Sequence, residues 1–243
     1  MNFKVFEKAL MPYERMLISQ EKFRKRLGVK EVSRPTYERY ITGNIERYDS
    51  QKNAFAAMAP DNPHGKDFRE QYKAKTGVGF FATPLPQSEL EPEDRVGQAL
   101  SNACWRGCLE YSPVNLETTP AEGRVEFDDS RWLSRFIKKV TLFLGAEMVR
   151  ITRIDQRWVY SDIEIPHKYA IIAVVSHNDE FNQTAPSHLS GVAVGSVYSR
   201  LKFITTQLSD FIRGLGYDAE YRETLGMSPE MLMVPMAIDA GVG

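Results

Sequence analysis

The sequence predicts an α+β fold, a mixed sheet with flanking helices, on three observations in its second half. Trp132, Phe136, Ile137, Val140, Phe143 and Leu144 recur at helical spacing. Ala146 to Thr152 alternates like a half-buried strand, and Tyr169 to Val175 is an apolar, β-branched run of the kind found in a central strand. Val197, Leu201, Ile204, Leu208, Phe211 and Leu215 fall at steps of three and four, a full apolar face for a helix from about Gly195 to Gly214. With a further strand over Tyr217 to Tyr221, the order helix, strand, strand, helix, strand is a mixed pattern.

Taken in order, residues 1 to about 75 read as amphipathic helical pieces rich in Arg, Lys, Glu and Tyr. Phe3, Phe6, Leu10, Met16 and Leu17 form an apolar stripe, and Leu27-Gly28 reads as a helix end. Tyr37, Tyr40 and Tyr48 read as packing residues. From about 76 to 125, Pro84, Pro86, Pro92, Pro113 and Pro120, with Gly77, Gly79 and Gly123, break the pattern into an irregular wrapping arm. A short helix near 93–110 interrupts it. The chain thus divides into a helical and irregular wrapping unit, 1–125, and an α/β core, 126–243.

In the core, Asp128-Asp129-Ser130 supplies caps, Gly145 ends the first helix and Gly216 the second. An apolar run from Met231 to Ile238 leads into Asp239-Ala240-Gly241-Val242-Gly243. A glycine turn after such a run normally leads into another element, so the core is expected to be incomplete at the C-terminus.

A composition of 42% hydrophobic and 26% charged residues is that of a globular protein. The near balance of 31 basic against 32 acidic residues argues against a nucleic-acid partner. No apolar stretch approaches the roughly 18 residues of a membrane span. The start, MNFKVFEKALMPYERM, carries scattered charges and lacks the regions of a secretory signal. Taken as it stands, the sequence places the protein in the cytoplasm; removal of a twin-arginine leader would make it exported and membrane-associated.

The two cysteines, Cys104 and Cys108 in Cys-Trp-Arg-Gly-Cys, exclude a disulfide scaffold and any four-cysteine metal site within this chain. One bridge between the two is conceivable, but they read better as ordinary, partly buried thiols. His64, His167, His177 and His188 form no close metal pair, and the loop holding His177, Asp179, Glu180 and His188 reads as a solvated turn. No phosphate-binding glycine loop and no Gly-x-Ser-x-Gly turn is present.

Tyr198 stands out. It follows Val197, on the flank of the buried face, and Lys202 lies one helical turn on along the same side. A nearby ammonium favours the phenolate and would make the tyrosine a better proton donor in a dry pocket. On spacing alone the plainer reading, a tyrosine packed at a helix edge with Lys202 in water, outweighs it.

Several ordered stretches carry a resemblance. Trp132 to Ile154 reads as a helix, a Gly-Ala turn and a strand; Arg157-Trp158-Val159-Tyr160-Ser161 and His167 to Ile172 follow. Thr184-Ala185-Pro186-Ser187 then leads to Gly195-Ser196-Val197-Tyr198-Ser199-Arg200, Leu208 to Ala219 and Val234 to Gly243. In that order and spacing, residues 126–243 resemble the reductive dehalogenases, corrinoid and iron–sulfur enzymes that remove halogen from organohalides.

The resemblance implies a nitroreductase-like fold with a corrinoid (cobalamin) bound base-off over the sheet. It places Tyr198 on the catalytic proton donor and puts Val194, Gly195, Ser196, Asp239, Ala240 and Gly241 at the corrinoid, where small residues permit close backbone approach. Thr224 falls nearest the family's substrate-side position. Two 4Fe-4S clusters are implied only beyond this chain's last residue, so the chain alone is not expected to be competent. An organohalide or related small molecule, and an electron-donor protein or membrane anchor, are the implied partners. The alternative is a non-catalytic corrinoid-binding or assembly protein.

Overall fold

The computed structural model describes residues 4–30, 32–57, 59, 61–76, 91–109, 119–185, 187–221 and 230–242. The chain opens with helices α1 (Lys4–Ala9) and α2 (Met11–Arg26). Gly28 follows α2 at φ +71°, a left-handed position that suits glycine at a helix end. Short helices α3 (Ala54–Ala57) and α4 (Lys66–Thr76) precede α5 (Pro92–Leu109).

Helix α6 (Ser130–Phe143) is capped by the Asp129 carboxylate, which accepts the Arg131 N–H at 2.8 Å. It leads through Gly145 into strand β1 (Met148–Arg153), which pairs antiparallel with β2 (Tyr169–Val174). Short α7 (Asp179–Asn182), long α8 (His188–Gly214) and α9 (Met233–Asp239) complete the order. The fold is α+β and dominated by helices. No described helix is long and apolar enough to cross a membrane.

The core forms where one face of the sheet meets α2, α6 and α8. Leu10, Phe136, Ile137, Val140 and Leu208 are buried together, with Ile151 of β1 and Ile171 of β2 packed against them. The register sets Ile151 opposite Ile171 and Val149 opposite Ala173, so period-2 alternation carries all four to one face. A second cluster, Trp158, Val159, Ile165, Met231 and Met236, includes Ile172 from the opposite face and joins α9 to the loop between the strands.

Three expectations change. Tyr217 to Tyr221 is irregular rather than a strand, because its surroundings are engaged otherwise. Tyr217 donates to the Val125 carbonyl at 2.8 Å and Arg213 to that of Ala219 at 2.7 Å. The described sheet has two strands rather than a mixed set, and β2, expected to be central, has a single neighbour. Helix α8 starts seven residues before Gly195, at His188, because Ser187 and Ser190 form a capping box. In the irregular stretch, α5 lies close to the predicted 93–110; residues 77–90 and 110–118 are outside the described ones.

Polar contacts tie the early residues to the later ones. Arg47 donates to the carbonyls of Val159 at 3.0 Å, Ile163 at 2.6 Å and Tyr160. Ser50 donates through its N–H and hydroxyl to Asp162, and Gln20 to the Glu147 carbonyl at 2.7 Å.

Candidate functional site

A cavity of about 1940 Å³ opens beside β2, whose residues Tyr169 to Val174, with Val175, line it. Val194, Val197, Tyr198, Leu201 and Lys202 of α8 form a second wall, and Asp239, Ala240 and Gly241 close the end near α9. Along the first two walls the lining alternates Ile, Ala and Val with few polar side chains, the surroundings of an apolar ligand.

Tyr198 is half-buried on that second wall. Its ring packs against Trp105 of α5, centroids 5.7 Å apart and planes inclined by 32°. Lys202 lies one turn on, as the spacing requires, and its ammonium donates to the Cys108 carbonyl at 3.0 Å, at the end of α5. There the residual negative end of the helix favours a cation. Ser199 likewise donates to the Cys104 carbonyl.

The α5–α8 contact is built on small residues. A Cβ on Gly195 would meet the Trp105 ring at 3.1 Å and Cys104 Cβ at 3.2 Å; one on Gly107 would meet Ser199 Oγ at 3.0 Å. Gly195 therefore brings α8 close to α5, and its missing side chain faces Trp105 rather than the cavity. Ser196 turns its hydroxyl to the Ala193 carbonyl of its own helix at 3.1 Å. Of the three small residues singled out there, only Val194 lines the cavity.

At the other end, both Asp239 carboxylate oxygens are engaged inside the protein. One accepts from the Tyr37 hydroxyl and the other from Trp158 Nε1 at 2.7 Å. Burial and then this carboxylate hold the Tyr37 phenol well above the usual tyrosine range. The Tyr37 ring also meets Trp158 edge-on at 5.8 Å. Gly241 sits at φ +78° and its carbonyl accepts from Arg24. The turn thus faces the cavity with Ala240 and backbone, while the Asp239 carboxylate anchors it from behind. Thr224 lies outside the described residues.

No family model matches the chain. A tetrachloroethene reductive dehalogenase of Dehalobacter restrictus is 26% identical over an alignment covering 56% of this chain and 33% of that protein. One from Sulfurospirillum multivorans is 24% identical, covering 84% of this chain and 53% of that protein. A solved catabolic reductive dehalogenase superposes on 88% of this chain and 29% of its own, with a TM-score of 0.54 at 19% identity. The chain resembles the reductive dehalogenases. It spans a third to about half the length of these curated relatives, and the structural likeness carries the α+β fold.

Tyr198, singled out in the sequence, lies on the wall of this cavity. Trp105, Tyr37 and Arg24 entered the site without being expected there. Their signal is faint: Trp105 shows only as an aromatic between two small-residue turns of α5, and nothing near Tyr37 points to Asp239, 202 residues away.

Proposed function

We propose that this chain forms the corrinoid-facing part of a reductive dehalogenase-like oxidoreductase, in which Tyr198 delivers the proton that takes the halogen's place on carbon. The observation that carries the reading is Tyr198 on the wall of a large, mainly apolar cavity, with the Trp105 ring packed against it. The net change is carbon–halogen bond, two electrons and a proton going to carbon–hydrogen bond and halide.

The residues present fit the apolar parts of a broad, flat macrocycle. Val174, Val194 and Leu201 offer partly exposed apolar walls, and the turn at Ala240 and Gly241 offers backbone with little side chain in the way. A bound corrinoid supplies the reducing cobalt centre at which the carbon–halogen bond is cleaved. The chain's own residues hold the substrate in a water-poor space, and the Tyr198 phenol gives its proton to the carbon and regains one from solvent. Trp105 restricts the ring, and Lys202, anchored to Cys108, keeps the next turn of α8 against α5.

Iron–sulfur clusters do not fit the residues present. Two cysteines cannot supply the thiolates of a four-iron cluster, and the described residues hold no group of three or more His, Cys, Asp or Glu side chains arranged for a metal. No step is therefore assigned to a cluster here; the electrons come from a donor outside these residues. The same cavity also admits a second reading, a non-catalytic corrinoid-binding or assembly protein.

The test is cobalt and iron content of the natively produced protein, followed by reductive turnover of an organohalide by wild type and Tyr198→Phe. One cobalt per chain is expected. The variant should bind corrinoid unchanged and turn over at least about 10²-fold more slowly. Absence of cobalt sinks the corrinoid reading, and undiminished turnover in the variant removes Tyr198 from its role. Corrinoid binding without turnover selects the second reading.

A further inference from the structure

Among the cations that line the cavity, three from separate elements lie close enough to act on one another: Arg24 of α2, Lys138 of α6 and Arg150 of β1, with Arg150 acting on Lys138 and Arg24 on Arg150. All three are half-buried. The Lys138 ammonium has no hydrogen-bond acceptor or ion-pair partner among the described residues. Arg150 donates to the neighbouring Val149 carbonyl at 2.9 Å and Arg24 to that of Gly241, so each guanidinium keeps further N–H donors.

The carboxylate that acts on Lys138 and Arg150, that of Glu21, is already committed. Glu21 is ion-paired with Arg135 at 3.2 Å, and Arg135 is shared with Glu14 at 2.6 Å. The crowding registers in the protonation equilibria. Burial pushes the Lys138 ammonium below the usual lysine range, Arg150 and Arg135 push it the same way, and Glu21 opposes them. Burial also lowers Arg150, with Arg24 adding to the effect and Glu21 opposing it. Like charges held half out of water cost free energy until an anion joins them.

We propose that Arg24, Lys138 and Arg150 form a binding site for a phosphate-type oxyanion. Two guanidiniums present forked N–H pairs to tetrahedral oxygens, and the lysine adds a point charge. The site stands beside the Gly241 turn because Arg24 serves both. A phosphate could reach it from two sources with one chemistry: a free phosphate or phosphate ester, or the phosphodiester in the tail of a corrinoid. Only the second source rests on the function proposed above.

The experiment is calorimetric titration of the full chain with inorganic phosphate, with chloride holding ionic strength constant. Saturable binding is expected, weakened about tenfold by Lys138→Gln or Arg150→Gln. Should a variant not fold, the wild type still decides: phosphate must raise its melting temperature beyond matched chloride. No saturable heat, equal stabilisation by chloride, or undiminished binding in folded variants overturns the site. Competition then separates the sources. Displacement by cobalamin but not by tail-less cobinamide assigns the phosphate to the cofactor, and retention with both assigns it to a free oxyanion. Phosphate binding in a protein that takes up no corrinoid keeps this site and removes the corrinoid reading alone.

Discussion

Trp105 and Tyr198 meet across the α5–α8 contact with centroids 5.7 Å apart, although 93 residues separate them in the chain. The pair gives a clean division between packing and chemistry. Trp105→Ala removes the platform and should cost about 2 kcal/mol, less than the ~3–5 of a fully buried tryptophan. Tyr198→Phe keeps the ring contact and should leave stability within about 0.5 kcal/mol of wild type. Urea unfolding of both variants checks this.

Two glycines of α8 should respond oppositely to the same substitution. A Cβ on Gly195 meets the Trp105 ring and Cys104 Cβ, neither able to retreat far, so Gly195→Ala should lower stability by about 1 kcal/mol even after the gain in helix propensity. At Gly191 the close neighbour is the Ser101 hydroxyl at 2.8 Å, which can rotate away. Gly191→Ala should therefore be neutral or stabilising by up to about 1 kcal/mol. Melting temperatures of the two variants decide.

The anchor behind the cavity end should be costly to remove. Asp239→Ala strips acceptors from both the Tyr37 hydroxyl and the buried Trp158 N–H, an expected loss of about 2–3 kcal/mol. Asp239→Asn sets an NH2 group against one of the two donors and should recover no more than half of that. Tyr37→Phe, which leaves the Trp158 bond in place, should cost about 1 kcal/mol by urea unfolding.

Glu14 predicts an acid-side stability limb. The Arg135 hydrogen bond holds its carboxyl below the usual 4.5, against the opposing pull of burial and with help from Lys139. A folded pKa below the unfolded one gives stabilisation that is complete above about 4.5 and is lost as pH falls through the folded value. Glu14→Gln should lower stability near neutrality and flatten this limb. Urea unfolding from neutral to acid pH reads both effects.

The helices and strands of the core were legible because a single period marks each. Val197, Ile204 and Leu208 are buried as their spacing requires, and Ile151 and Ile171 share a face through alternation. The Leu27-Gly28 helix end was legible from one glycine. The α8 start was not, since its capping box carries serine where the usual signal has Glu or Gln. Gly195 was read as room for a ligand, while the space it leaves is taken by Trp105. Sequence shows that a small residue is needed and not which neighbour needs it. The third strand failed because β propensity at Tyr217 to Tyr221 says nothing of whether a partner edge is free. Tyr198 was marked by its spacing to Lys202, yet the ammonium went to Cys108, a carbonyl that no side-chain pattern reveals.

Arg47 reaches three carbonyls that lie up to 116 residues further along the chain, and Arg24 one that lies 217 further. A growing polypeptide therefore exposes both arginines well before their acceptors exist. These two side chains stay without those acceptors until the loop between the strands and the turn after α9 have been made. Such closure of long loops slows folding and prolongs the life of half-assembled chains. Phe6 and Phe23, 56% and 61% exposed in this structure, are apolar surface through which a waiting N-terminal segment would recruit a chaperone or aggregate.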